Sequence, residues 1–156
     1  MIQHFDKLYK VVNESQKSAL LNVSSAIVDY RSGRNFVPPT LDGTPIMLFT
    51  DVASAFEFAD KFDNKVVYEA EAYGETVTVD RVLRIKNPGW ERNAQAFWAA
   101  VLAKTSLDAF DTIEAKDNSV ALFGVVRLHG KAVRPTPKVA AALAAASPAP
   151  RAWRNW

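Results

Sequence analysis

The sequence predicts an α+β fold: a single domain in which a mostly antiparallel, twisted sheet packs against two amphipathic helices. Three observations predict this class. Runs with strand-like alternation occur in both halves of the chain. Two segments between them space their apolar residues as helices do. The chain has 156 residues, of which 49% are hydrophobic, and this length and composition suit one hydrophobic core.

The first third of the chain is predicted to be mainly extended. Residues 5–12 alternate between two sets of side chains, which predicts a strand that ends at Asn13. Residues 29–43 contain two glycines and two prolines, a composition typical of a loop. The short apolar run at 46–49 predicts a buried strand.

The first helix is predicted to follow Thr50 and Asp51, whose side-chain oxygens can accept hydrogen bonds from the amides of its first turn. We expect it to end at Asp63 and Asn64. Five apolar residues recur at helical spacing and so share one face: Val52, Ala55, Phe56, Ala59 and Phe62. Phe56 is therefore expected to be buried.

The middle of the chain predicts a hairpin and a second helix. Strands at 65–72 and 75–85 are expected to join through a turn at Tyr73 and Gly74. Asn87 is a candidate cap for the second helix, and Pro88 suits its first position. The apolar stripe of that helix is expected to comprise Trp90, Ala94, Phe97, Trp98, Val101 and Leu102.

The last part of the chain divides into three segments. Residues 105–114 are ambiguous between a helix and irregular structure, whereas residues 120–129 are apolar on both faces and predict a central strand. An alanine-rich helix is expected to follow. We divide the chain into a compact α+β domain at 1–134, a C-terminal helix at 135–146 and a tail at 147–156.

Several function classes lack their sequence signatures. The chain has no cysteine, which excludes disulfides and thiolate chemistry. It contains neither a glycine-rich phosphate-binding motif nor a nucleophile elbow, so no cofactor is predicted. It also lacks a long apolar run and a signal-peptide pattern, so we expect no membrane segment and a cytoplasmic location.

The candidate catalytic residues are Glu69 and Glu71, which lie on the same face of a predicted strand. Two carboxylates about 7 Å apart can serve in acid–base chemistry. The simpler interpretation, which we favour, is a solvated sheet face with Lys or Arg side chains opposite.

Metal binding has two weak signals. Asp108, Asp111 and Glu114 are spaced three apart, which on a helix gives an acidic stripe that is usually solvated. The chain has only two histidines, His4 and His129. A histidine-based site would require folding to bring them together with Asp or Glu, so the sequence alone predicts no metal site.

The tail differs in charge from the rest of the chain. Residues 131–156 hold five basic residues and no acidic one, although the whole chain has a formal net charge of only +2. Prolines in the tail favour extended backbone, and four residues at its end are of the types that dominate binding hot spots: Arg151, Trp153, Arg154 and Trp156. A disordered end and a nucleic-acid arm are alternatives, but we favour docking to a protein.

A series of short motifs covers about the first 72 residues. It comprises LYKVV at 8–12, KSA at 17–19, YRSG at 30–33, PIMLFTD at 45–51 and VYEAE at 67–71. In this order the chain resembles small uncharacterised proteins of bacteriophages and their hosts. The resemblance implies a phage-encoded accessory protein in the bacterial cytoplasm or the virion, acting as an inhibitor of a host system or as a virion component.

The layout of the same half is also similar to ADP-ribosyltransferase-like domains. That resemblance implies Tyr9 or His4 as the anchor of a nicotinamide pocket, Thr50 as its Ser/Thr position and Glu71 as the catalytic acid. Because catalytic motifs are missing and the tail is basic and aromatic, we predict a non-catalytic protein-interaction module that docks through its tail, its sheet surface or both. A small enzyme of this kind and a weak single-strand nucleic-acid binder are the alternatives, and self-association stays open.

Overall fold

The computed structural model describes residues 2–19, 26–31, 34–85 and 89–136. It confirms the α+β class, with an antiparallel sheet and two helices in one small domain. The elements are β1 (Gln3–Asn13), β2 (Ile46–Phe49), α1 (Val52–Ala59), β3 (Lys65–Val77), β4 (Arg81–Leu83), α2 (Trp90–Ala103), β5 (Thr112–Glu114) and β6 (Ser119–Lys131).

Four of the strands close into a small antiparallel barrel. They are hydrogen-bonded in the order β1, β2, β6, β3, and β3 pairs again with β1. The pairing between β1 and β2 is short, because Tyr9 and Phe49 are the only described residues that face each other across these two strands. β4 and β5 form a separate two-stranded sheet. The predicted central strand is confirmed, since β6 lies between β2 and β3.

The interior of the barrel holds the largest cluster of buried side chains. Alternate residues of each strand point inward, as the two-residue period requires. The cluster contains Leu8, Val12, Val28, Tyr30, Ile46, Leu48, Ala70, Ala72, Leu122, Val126 and Leu128. Small alanines on β3 leave room for the larger side chains opposite, which lets a barrel of few strands fill its interior.

Lys10 lies on β1 midway between the inward-facing Leu8 and Val12. Its Nζ donates a hydrogen bond of 2.8 Å to the carbonyl of Met47 on β2 and lies 5.7 Å from the ring centre of Tyr30. The ammonium group therefore joins β1 to β2 where they share little backbone pairing. Burial lowers the pKa of Lys10 to about 8 and raises that of the Tyr30 hydroxyl.

Helix α1 packs on the outside of the barrel. The predicted cap is confirmed, since the carboxylate of Asp51 accepts a 2.9 Å hydrogen bond from the amide of Ser54. The expected end of the helix is wrong: α1 ends at Ala59, with Asp60 as its cap. Phe58 is buried, whereas Phe56 is only partly buried and Phe62 is 39% exposed. Phe56 nevertheless packs against the buried cluster shared by α1 and the barrel, whereas Phe62 lies beyond the end of the helix.

Helix α2 packs on another part of the barrel surface. Trp90, Ala94, Phe97 and Trp98 are buried as predicted. Leu102 was expected in the stripe but is 52% exposed, whereas its neighbour Val101 packs against the buried cluster around Phe97 and Trp98. The helix begins at Trp90 after Gly89, which adopts a left-handed conformation with φ of 82°. The predicted starting residues at 87–88 lie outside the described part of the chain.

The hairpin predicted at Tyr73 and Gly74 is wrong, because β3 continues through both residues to Val77. Gly74 instead faces Gly124 on β6. A Cβ added to Gly74 would lie 2.8 Å from the Cα of Gly124 and would also collide with the carbonyl of Phe123. The glycine permits close approach of two strands rather than a turn.

The acidic stripe expected at 108–114 also requires correction, because this segment contains strand β5 and no helix. Asp108 lies 3.5 Å from Arg81 and Asp111 lies 3.5 Å from Arg84. These carboxylates therefore help attach the segment to the β4 region by exposed ion pairs.

Most of the C-terminal region lies outside the described residues. Pro135 and Thr136 are described and are not helical. The remainder of the predicted helix at 135–146 and the whole tail at 147–156 are not among the described ranges. Within those ranges, no helix has the length and apolar character needed to cross a membrane.

Candidate functional site

The candidate site lies on the outer face of the barrel, centred on Glu71 in the middle of β3. Ala70 and Ala72 point into the barrel, so Glu71 between them points outward. Arg127 on β6 lies directly opposite Glu71. On the other side, the register of β1 shifts between Phe5 and Leu8. Such an irregularity re-aims side chains, and it falls where β1 passes Glu71.

Glu71 contacts both histidines of the chain. Its Oε2 lies 2.8 Å from the Nε2 of His4, and its Oε1 lies 3.5 Å from the Nε2 of His129. Oε1 also accepts a hydrogen bond from the guanidinium of Arg127. The other nitrogen of His4, Nδ1, lies 3.3 Å from the carboxylate of Asp6. We call His4, Asp6, Glu71, Arg127 and His129 the Glu71 cluster.

The carboxylate at the centre of the Glu71 cluster is more buried than its partners. The side chain of Glu71 is 16% exposed, compared with 38% for His4 and 43% for His129. The hydrogen bond with His4 lowers the pKa of Glu71, and Arg127 lowers it further. Glu71 is therefore a stable anion at neutral pH, with the two imidazoles accessible to solvent above it.

An aromatic strip lies beside the Glu71 cluster. The rings of His4 and Tyr73 stack at 4.4 Å, and Phe36 meets Tyr73 edge-on at 5.2 Å. The guanidinium of Arg127 lies 4.8 Å from the centre of the Phe36 ring. Backbone hydrogen bonds between Val37 and Val126 hold the loop that carries Phe36 against β6. We call Phe36, Tyr73 and His4 the aromatic strip.

Arg127 connects the aromatic strip to the Glu71 cluster. Its Nε is buried, and no hydrogen-bond partner for it is found within the described residues. Leaving a buried N–H unpaired costs about 1–3 kcal/mol. Most buried polar groups in proteins are hydrogen-bonded, so this N–H is an exception.

The two glutamates proposed from the sequence have different partners. Glu71 lies in the cluster, whereas Glu69 lies 3.7 Å from Lys7 on β1 in a largely exposed ion pair. Both carboxylates have basic side chains next to them, but Glu69 is 40% exposed and Glu71 only 16%. A joint acid–base role for Glu69 and Glu71 gains no support from these contacts.

Only part of the set implied by the ADP-ribosyltransferase resemblance comes together. His4 and Glu71 are in contact. The hydroxyl of Thr50 instead donates a 3.1 Å hydrogen bond to the carbonyl of Asn118. Tyr9 is buried with α1, where burial raises its pKa. The four tail residues expected to bind a partner lie outside the described residues.

Sequence reasoning missed Phe36, Tyr73 and Arg127. A signal existed for Arg127, because it is the only charged residue in the apolar run at 120–129. The sequence pattern places Tyr73 in a predicted turn and Phe36 in a predicted loop, and neither position indicates an aromatic surface. Their convergence depends on the strand register, which the sequence pattern does not specify.

Comparison of the chain with protein-family models, with curated proteins and with solved structures finds no match. The features of the chain that bear on its function are therefore the Glu71 cluster, the aromatic strip and the tail.

Proposed function

We propose that this chain is a protein-interaction module that docks a partner protein on the outer face of its barrel, through the aromatic strip and Arg127. The stacked arrangement of Phe36, Tyr73 and His4 next to a guanidinium carries the proposal. Tyrosine and arginine are enriched at the energetic centres of interfaces. Tyr73 is 41% exposed, although its ring is large and mostly apolar.

The geometry also supports a rigid rather than an adaptable docking surface. Each ring of the strip contacts the next, and Arg127 is held between Phe36 and the carboxylate of Glu71. Side chains that are already ordered lose little conformational entropy on binding. The basic tail at 147–156 is proposed as a second contact for the same partner. The resemblance to phage proteins suggests that this partner is a bacterial or viral protein.

The test compares Tyr73→Ala with Phe62→Ala. The two residues are similarly exposed, at 41% and 39%, but Phe62 packs next to α1, away from the aromatic strip. Tagged full-length protein is used to capture partners from a nuclease-treated bacterial lysate. We expect wild type and Phe62→Ala to retain one specific protein, and Tyr73→Ala to retain at least about tenfold less. Equal capture by both variants would overturn docking through the strip.

The contribution of the tail is tested separately by deleting residues 147–156. We expect capture to fall while the thermal unfolding midpoint changes little, because these residues follow the last strand of the barrel. Full capture by the shortened chain would remove the tail from the interface. A parallel capture from untreated lysate serves as the comparison. If the protein is captured there but not after nuclease treatment, the alternative of nucleic-acid binding replaces protein docking.

A further inference from the structure

The Glu71 cluster contains a second arrangement, which shares only His4 with the aromatic strip. The two histidines lie 125 positions apart in the sequence, yet the fold brings the Nε2 atoms of both to the same carboxylate. His4 is on β1, Glu71 on β3 and His129 on β6. Three neighbouring strands of the barrel therefore present two imidazoles and one carboxylate at one point on the outer face.

The separations of these atoms suit metal coordination. Imidazole nitrogen and carboxylate oxygen bind Zn²⁺ at about 2.0–2.2 Å, so ligand atoms around one ion lie about 3–3.5 Å from each other. The Nε2 of His4 is 2.8 Å from one oxygen of Glu71, and the Nε2 of His129 is 3.5 Å from the other. Each oxygen of Glu71 therefore lies next to one imidazole nitrogen.

Asp6 adds a feature that is common around metal-binding histidines. Its carboxylate lies 3.3 Å from the Nδ1 of His4. A carboxylate on one nitrogen fixes the tautomer that leaves the other nitrogen free to bind a metal, and it increases the basicity of that nitrogen. One ligand atom from each of His4, Asp6 and Glu71 falls within 4.8 Å of the others.

We propose that His4, Glu71 and His129 form a binding site for one divalent transition-metal ion of the zinc class, with Asp6 orienting His4. The partial exposure of both imidazoles gives an ion access from solvent. Three protein ligands leave a fourth position for water or for a group from a partner. The sequence by itself predicted no metal site; folding now meets the condition that both histidines join an acidic residue.

The positive charge of Arg127 opposes binding of the divalent ion to Glu71. Its guanidinium pairs with the oxygen of Glu71 that faces His129. A divalent ion must therefore compete with one positive charge for this carboxylate. We expect Arg127→Gln to tighten metal binding, whereas the same substitution should weaken docking to a protein. The two proposals thus respond in opposite directions to one change.

The experiment is calorimetric titration of ZnCl₂ into untagged, chelator-treated full-length protein. We expect one ion per chain with a dissociation constant below about 100 µM. Glu71→Gln, His4→Ala and His129→Ala should each weaken binding at least about tenfold. Glu69→Gln is the matched control, since Glu69 lies on the same strand but pairs with Lys7. Arg127→Gln should strengthen binding several-fold.

Titration with Co²⁺ provides a readout that does not depend on variants. We expect bound Co²⁺ to show the visible absorption bands of a tetrahedral or five-coordinate ion. These bands should disappear when added Zn²⁺ displaces the Co²⁺. Binding that is weaker than about 1 mM, or that is unchanged by Glu71→Gln in a folded protein, would overturn the metal site. Because these measurements use the protein alone, their failure would leave the docking proposal intact.

Discussion

Glu71 shows how a single carboxylate can be fixed by neighbours from two adjacent strands. Its position on β3 follows from strand periodicity, but its partners His4, Arg127 and His129 come from distant parts of the chain. The hydrogen bond with His4 and the guanidinium of Arg127 hold the pKa of Glu71 below its usual value of 4.5. Its effect on stability must therefore depend on pH.

We expect the loss of Glu71 to matter at neutral pH and not in acid. Because the folded-state pKa is lower than the unfolded one, the unfolded chain binds more protons in this range, and the stabilisation is lost as the pH falls through the folded-state value. Thermal unfolding from about pH 6 to pH 3 should show Glu71→Gln melting below wild type at first and converging with it in acid.

Glu69→Gln is the control for this series, because Glu69 and its partner Lys7 are 40% and 62% exposed. Exposed pairs contribute little to stability, so its melting curve should follow that of wild type throughout. A constant difference between wild type and Glu71→Gln across the whole pH range would contradict the ion-pair explanation.

Lys10 should produce a pH dependence of the same sign, but at alkaline pH. Burial lowers its pKa to about 8 from 10.5, so the unfolded chain binds more protons between these values and the free energy of unfolding rises with pH. We expect wild type to gain stability relative to Lys10→Met between about pH 8 and pH 10. Urea unfolding at several pH values measures this, and a constant difference would show that the ammonium group is hydrated.

At the scale of elements, the crossing of β3 and β6 is the point most sensitive to substitution. Gly74 and Gly124 face each other there, and a Cβ on Gly124 would collide with the carbonyl of Tyr73 and come within 2.8 Å of the Cα of Gly74. Neither strand can move away without breaking the ladder that closes the barrel. Overpacking of this kind is not relieved by a side-chain rotation.

We therefore expect Gly124→Ala to reduce the free energy of unfolding by about 1–3 kcal/mol or more. Gly130→Ala is the matched control on the same strand, because no atom lies within 4 Å of a Cβ added there. That variant should remain within about 0.5 kcal/mol of wild type. Chemical denaturation measures both, and equal effects would show that the two strands do not approach as closely as described.

The helices gain most of their stability from packing on the barrel rather than from their own sequences. α1 has only eight residues, too few to be stable alone in water. Its buried residues contact Tyr9, Val11 and Val67 of the barrel. α2 rests on Ala121 and its neighbours through Phe97 and Trp98. Folding of the helices should thus depend on closure of the barrel.

At the scale of the whole molecule, this dependence predicts cooperative unfolding. Deletion of residues 147–156 removes two of the four tryptophans, so the remaining fluorescence comes from Trp90 and Trp98 in α2. We expect the fluorescence and far-ultraviolet circular dichroism of this shortened chain to give the same midpoint in urea. Separate transitions would mean that α2 detaches before the barrel unfolds.

The sequence by itself determined the class of fold and most of the elements. Alternation predicted β1, a short apolar run predicted β2, a two-faced apolar run predicted β6, and spacing identified four buried residues of α2. These features are local, since they depend on the period of the backbone and on burial of one face. The cap at Asp51 is equally local, and it was also predicted.

Only the tertiary structure decided the barrel closure, the continuity of β3 through Gly74 and the composition of the Glu71 cluster. Each depends on which strand pairs with which and in what register, and a one-residue slip would turn Glu71 and Arg127 inward. The dipeptide Tyr73-Gly74 is compatible with a turn and with a close approach of two strands. Pairing of β3 with β6 determines which of the two forms. His4 and His129 both lie next to Glu71 for the same reason. Pairing of β3 with β1 and with β6 brings residues that are distant in the sequence close together in space.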